Sequence, residues 1–211
     1  LGLASGASAQ VTPVVAGASI TAAGINAIID AVNGVGALQG NLDLPATTPI
    51  TGVLRVDGTR FLHNFGTANT FLGENAGSFF SDANPLTGND NTAVGYNTLT
   101  VNTTGGQNTA VGNTALLSNI DGDRNTAVGE DALRANIDGN SNIAVGADAL
   151  RANTTGGANT AVGAAAGAFA TTGDNNIYLG ANVVGVDGEA NTMYLGRVDT
   201  QTRTFIAGVR G

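Results

Sequence analysis

Asn91-Thr92-Ala93-Val94-Gly95, NTAVG, returns at 108–112, 125–129 and 159–163, and as NIAVG at 142–146 and NIYLG at 176–180, so one pentapeptide recurs every 17 residues. With its Asn as position 0, position +3 is Val94, Val111, Val128, Val145 and Val162, and position +4 is Gly throughout. Leu99, Leu116, Leu133 and Leu150 stand at +8, with Ala at +7 in three of those four units. Asn102, Asn119, Asn136 and Asn153 occupy +11, and Gly105, Gly122, Gly139, Gly156 and Gly173 occupy +14. A fixed period with turn residues at constant offsets is the signature of a solenoid, in which each unit stacks on the last. Each unit then holds two short extended runs, one ending at the +4 Gly and one around +7/+8. The turns NTTGG, NIDGD and NIDGN between units supply side-chain-to-backbone bonds and left-handed φ.

Stacking turns equal positions into columns about 4.8 Å apart. The spacing predicts an interior filled by the Val column at +3 and the Leu column at +8, an Asn ladder at position 0 and a Gly column where the chain turns. NTFLGENAGSFF (69–80) and NTAVGAAAGAFA (159–170) depart alike: Gly77 and Gly167 replace the +8 Leu, and Phe79 and Phe169 appear at +10. Flanking units that deviate in the same way read as caps, with Phe79 and Phe169 closing the ends.

Composition narrows the function. Of the 211 residues only 11% are charged and 5% aromatic, while 32 are Gly, which suits narrow repetitive β-structure better than a bulky enzyme core. A net charge of −8 argues against nucleic acid, which calls for a basic stripe. All eight basic residues are Arg, so lysine isopeptide cross-links are excluded, and the absence of Cys excludes disulfides and thiolate metal sites. No apolar run reaches the roughly 20 residues that span a bilayer. Ala7 and Ala9 ahead of Gln10 resemble the cleavage end of a secretory signal within residues 1–18, which places the protein outside the cytoplasm.

Outside the repeats, SITAAGINAIIDAVNGVGAL places Ile25, Ile28, Val32 and Val35 at a and d spacing. This predicts a short helix within 19–40, and β-branched residues at both positions favour three or more chains; the alternative is a lone amphipathic helix packed on its own domain. Pro45 and Pro49 mark a linker, and VLRV (53–56), Asp57-Gly58 and TRFL (59–62) read as a hairpin within 41–68. His63, the single histidine, has no metal-ligating companion and reads as structural. The repeat domain runs over 69–196, and 197–211 reads as a C-terminal strand. Two large aliphatic side chains per unit bury little against the entropy of ordering 17 residues. Burying a second face against sister chains supplies the missing area.

The Asn-Thr-Ala-Val-Gly units resemble the head repeats of trimeric autotransporter adhesins, which carry a related small-x-Ala-[IV]-Gly motif. HNFGTANTFLGENAG (63–77), GEANTMYLG (188–196) and TQTRTFIAGVRG (200–211) resemble secreted bacterial and phage tail-fibre-like proteins. The resemblance covers about residues 50–211, although the 17-residue unit is longer than the usual adhesin head repeat. It implies an all-β fold, a left-handed parallel β-roll in a homotrimer, and an autoprocessing chaperone domain C-terminal to the repeats in such proteins. It also implies an extracellular fibre or adhesin head, with end-to-end filaments within its range. Its partners are then the chain itself and a surface receptor or glycan, with no cofactor.

Other functions fit the residues less well. A glycan-cleaving tailspike needs a carboxylate pair in a groove, whereas Asp121, Asp123, Asp138 and Asp174 sit in turns. Asp131 and Asp148 pair with Arg134 and Arg151 at i+3 as surface charge ladders. The NTTGG turns lack carboxylates, so a calcium column has no period. An ice-binding face wants paired Thr columns, and the column of Thr92, Thr109, Thr126 and Thr160 is interrupted by Ile143 and Ile177. The expectation is a structural and interaction protein without catalysis. The alternatives are a tail-fibre shaft on a virion and a monomeric solenoid that binds ice or glycan.

Overall fold

The computed structural model describes residues 53–56, 59–77 and 88–197, all in the second of the two units into which the chain divides, Ala46–Gly211. They are all β and turn, with no helix among them. Strands β1 (Leu54–Val56) and β2 (Thr59–His63) pair antiparallel, and β2 pairs antiparallel with β3 (Thr70–Leu72). From β3 onward every strand is one coil later and every pairing is parallel: β4 (Thr92–Val94), β5 (Thr109–Val111), β6 (Thr126–Val128), β7 (Ile143–Val145), β8 (Thr160–Val162), β9 (Ile177–Leu179) and β10 (Met193–Leu195). The register is the sequence alignment itself, Ala110 facing Ala127 and Val111 facing Val128. The result is a β-solenoid of about six turns with roughly 17-residue repeats.

The three-residue strand decides what is inside. Side chains alternate along a strand, so the middle residue of Thr-Ala-Val faces opposite to its neighbours. Ala93, Ala110, Ala127, Ala144 and Ala161 are fully buried, and the flanking Thr and Val point outward. This corrects the expected interior. Val94 and Val111 are half-buried, and Val128, Val145 and Val162 are 37%, 38% and 42% exposed in the single chain. The Leu column does lie inside, since Leu99, Leu116, Leu133 and Leu150 have no exposure. Alanine is the fitting partner because a thin coil leaves room for one large side chain per layer.

The second run is also not extended. Residues around +7/+8 form a chain of turns, with left-handed φ at Thr114 and Leu116 and at the equivalent Asp131 and Leu133. A left-handed non-glycine residue costs roughly 1–2 kcal/mol. Burying the Leu side chain returns about 1.5–3 kcal/mol. Turn bonds such as Asn119 N–H to Leu116 O (3.2 Å) alternate with bonds to the adjacent coil such as Leu116 N–H to Ala132 O (3.0 Å), so the irregular backbone is satisfied.

Two buried amide ladders replace the bulk that the hydrophobic layers lack. At position 0, each Asn Oδ1 accepts the backbone N–H of the next Asn, as in Asn125 N–H to Asn108 Oδ1 (2.8 Å) and Asn142 N–H to Asn125 Oδ1 (2.9 Å). At +11 the bonds run amide to amide, Asn119 Nδ2 to Asn102 Oδ1, Asn136 to Asn119 and Asn153 to Asn136, each 2.8 Å. Both ladders share a node. The Gly139 carbonyl accepts Asn125 Nδ2 at 2.8 Å and Asn136 Nδ2 at 3.0 Å. Beside the strands, Gly129 has φ +139°, and a Cβ there would lie 2.5 Å from the Gly146 oxygen one coil away. Glycine is required at +4 on both counts.

The end units invert the core layer. Gly77 and Gly167 hold the +8 position with left-handed φ of +72° and +62°, near the roughly +50° of the Leu residues they replace. The space fills from the strand instead: Phe71 and Tyr178 stand at +2, where the middle units have Ala, and both are buried. A Cβ on Gly77 would lie 2.5 Å from the Phe71 ring, and one on Gly167 would lie 2.7 Å from the Tyr178 ring. Small-plus-large becomes large-plus-small at nearly constant volume. The expected cap at Phe169 is therefore corrected: its ring is 56% exposed, and Tyr178 fills that end. Phe79 lies outside the described residues. So do Ile25, Ile28, Val32 and Val35, the segments 1–18 and 19–40, the Asp57-Gly58 turn and residues 198–211.

Candidate functional site

The exposed face of the parallel sheet is the candidate site, and its origin is the alternation that buries Ala at +2. One column on this face is Thr92, Thr109, Thr126, Ile143, Thr160 and Ile177; the other is Val94, Val111, Val128, Val145, Val162 and Leu179. Ile143 is 43% exposed and the later Val residues nearly as much. Columns at a spacing of about 4.8 Å along the stack give a regular, mostly apolar surface with no charged residue in either column. A contiguous apolar stripe of this kind marks an interaction surface.

Several turn carboxylates are used within the coil. Asp123 Oδ1 accepts the Gly106 N–H at 2.7 Å, and Asp174 Oδ1 accepts the Gly157 N–H at 2.6 Å. Asp121 accepts from the Thr103 hydroxyl at 3.0 Å and also from Thr104. Asn140 Nδ2 donates to the Asp138 carbonyl at 2.9 Å. Asp131 and Asp148 lie 3.4 Å from the Nε of Arg134 and Arg151, as the i+3 spacing predicts. Among the described residues no group of three His, Cys, Asp or Glu is placed to hold a metal, and no helix is long and apolar enough to cross a membrane.

The ends carry their own polar closures. His63 on β2 is buried, and its Nε2 donates to the Ala76 carbonyl at 2.9 Å while its ring lies 4.9 Å from Phe71. Burial holds its pKa below the ordinary value, with Arg60 and Arg55 adding to the same effect and the Ala76 bond opposing it. At the other end Glu189 accepts from the Tyr178 hydroxyl and the Val186 N–H, both at 2.8 Å, and from the Tyr194 hydroxyl at 3.0 Å. The two rings stack at 5.8 Å. Burial and the Glu189 bond push the Tyr178 phenol upward, and the Glu189 bond does the same for Tyr194.

No protein-family model, curated protein or solved structure matches this chain. The site therefore stands on its own geometry. Sequence reasoning placed the Leu column and the i+3 charge pairs, but missed Phe71 and Tyr178 as fillers and put Val inside. A signal was present: the two units that carry Gly in place of Leu at +8 have Phe71 or Tyr178 at +2 in the same or next unit. That exchange marks +2 and +8 as partners across the interior.

Proposed function

We propose that this chain is the subunit of a homotrimeric extracellular fibre or adhesin head, with the Thr/Val sheet face buried between three left-handed rolls. The observation that carries the reading is the outward Val column, an uncharged stripe that a single thin coil leaves in water. The motif resemblance supports the trimer and the handedness, and Ile25, Ile28, Val32 and Val35 supply an independent three-chain signal from sequence. The role is mechanical and adhesive rather than catalytic, with no cofactor. Its location is outside the cell, with a phage tail-fibre shaft as the alternative setting. End-to-end joining of trimers into filaments is part of the same proposal.

Sedimentation equilibrium tests it. The expected mass is three times the 20.8 kDa chain. Val128→Asp and Val145→Asp should yield folded monomers, because both side chains are half in solvent before assembly, whereas Arg134→Ala should leave the trimer intact. A monomeric wild-type chain overturns the trimer. The regular Thr/Val array, interrupted at Ile143 and Ile177, is then left for the second reading, a face that binds an ordered solid such as ice, and thermal hysteresis of the monomer is the measurement that decides it.

A further inference from the structure

On the side of the coil away from the strands, Ser118, Arg134, Ala135, Arg151 and Ala152 line a shallow cleft of about 310 Å³. Its floor is the column of small residues at +10 and its wall is the pair of guanidiniums at +9, one per coil. Ser118 N–H to Arg134 O (3.0 Å) and Ala135 N–H to Arg151 O (3.1 Å) lock the coils in this register. No carboxylate lines the cleft. Asp131 and Asp148 meet the Arg side chains at Nε, and Asp131 is further occupied by the Thr114 hydroxyl, so the terminal guanidinium nitrogens remain available as donors. One coil beyond Ala152, the same +10 column carries Phe169, whose ring is 56% exposed although its neighbours Ala168 and Ala170 are buried. The solenoid end is filled by Tyr178, so packing leaves Phe169 unused.

We propose that this cleft binds an acidic polysaccharide, with a uronate or sulfate group held by Arg134 and Arg151 and an adjoining sugar ring stacked on Phe169. Two planar guanidiniums on adjacent coils, whose backbones stack about 4.8 Å apart, suit a multi-oxygen anion, which Arg grips in paired, charge-assisted bonds. The alanine and serine floor admits a flat ring where larger side chains would exclude it. An aromatic face at the end of the row favours a saccharide over a flexible acidic peptide, which brings charge without a rigid apolar face. A nucleic-acid backbone calls for a longer basic stripe than the two Arg residues of this cleft supply. The proposal gives the adhesive role a ligand class and rests on that role, while it needs no particular oligomeric state.

The test uses the full chain immobilised on a biosensor, with polygalacturonate, neutral dextran and polyglutamate as probes. Polygalacturonate should bind and weaken as salt rises, dextran should not bind, and polyglutamate should bind at least tenfold more weakly. Arg134→Gln with Arg151→Gln should lower polygalacturonate affinity at least tenfold, and Phe169→Ala several-fold, while Arg124→Gln on an exposed turn leaves it unchanged. Absence of polygalacturonate binding overturns the proposal, as does equal loss with Arg124→Gln, equal affinity for polyglutamate, or indifference to Phe169→Ala. Sedimentation of the Arg double variant separates this from the trimer. An unchanged mass with lost binding supports the cleft, and a changed mass assigns the Arg pair to a protein interface and overturns it.

Discussion

The middle units and the end units solve one packing problem in opposite ways. Between Asn91 and Ala158 each layer has Ala from the strand and Leu from the turn chain, as with Ala127 and Leu133. At the ends the strand supplies Phe71 or Tyr178 and the turn supplies Gly77 or Gly167. The backbone scarcely notices, because Gly167 keeps the left-handed φ of the Leu residues it replaces. What the comparison teaches is that the coil specifies a volume per layer and leaves open which wall provides it. An aromatic ring also covers more of an end than an aliphatic side chain, and at the C-terminal side its hydroxyl reaches Glu189.

The largest expected effect falls on what both regions share. Gly129→Ala places a Cβ against the Gly146 carbonyl in a backbone region closed to side chains, so it should cost more than about 4 kcal/mol in denaturant unfolding. A loss under about 1 kcal/mol would mean the coils are not stacked this closely. The next effect separates the regions. Tyr178→Ala empties the end layer and should cost about 3–5 kcal/mol. Adding Gly167→Leu rebuilds the middle-unit layer and should recover more than half of that loss, a coupling of the size seen between contacting residues. If the double variant is no more stable than Tyr178→Ala, the two positions do not share one volume.

Most of the solenoid was legible because its cause is periodic. Seventeen-residue spacing, the Asn column and the turn glycines each constrain backbone stacking, and the strand pairings Thr109 to Thr126 and Ala110 to Ala127 repeat the alignment letter for letter. The inside-outside assignment was harder to read. Hydrophobicity alone puts Val128 inside and leaves Ala127 undecided, yet alternation within a three-residue strand forces them to opposite sides, and a narrow coil takes the smaller one. Phe169 misled for a related reason: a large apolar residue at the end of an array looks like a lid, while the lid was Tyr178 in the strand that follows. The exposed sheet face follows once alternation is applied, but no residue type on it names a partner.

A smaller effect tests whether the ladders stop where the layers change. The +11 ladder ends at Asn153, whose Oδ1 is buried with no partner, because Ala170 stands at the next rung. The backbone there keeps the ladder geometry, with Ala170 N–H to Gly167 O at 3.0 Å matching Asn153 N–H to Leu150 O. The Gly173 carbonyl, a node that takes two amides in other units, receives only Asn159 Nδ2 at 2.8 Å. Ala170→Asn should therefore stabilise the fold by roughly 1 kcal/mol by satisfying both groups. A loss of stability would show that the Tyr178 layer leaves no room for a further rung.

The two ends should also differ in their response to acid. His63 closes the N-terminal side buried and neutral, with Arg60 and Arg55 near it, whereas the described C-terminal closure uses Glu189 and two phenols. Burial lowers the folded pKa of His63 from its ordinary 6.5, so below that value the unfolded chain binds the proton and the folded chain does not. Stability is then complete above about pH 7 and falls as pH drops through 6.5 towards the lower folded value. Between pH 7 and pH 6 one such group costs at most about 0.7 kcal/mol. Hydrogen exchange should place that loss on the amides of β2 and β3 while those of β8 and β9 stay protected, since a stacked solenoid can open from one end. His63→Gln should remove the pH dependence of the first coil over this window. If the variant and the wild type lose protection in β2 and β3 equally between pH 7 and pH 6, the acid sensitivity of that end does not come from His63.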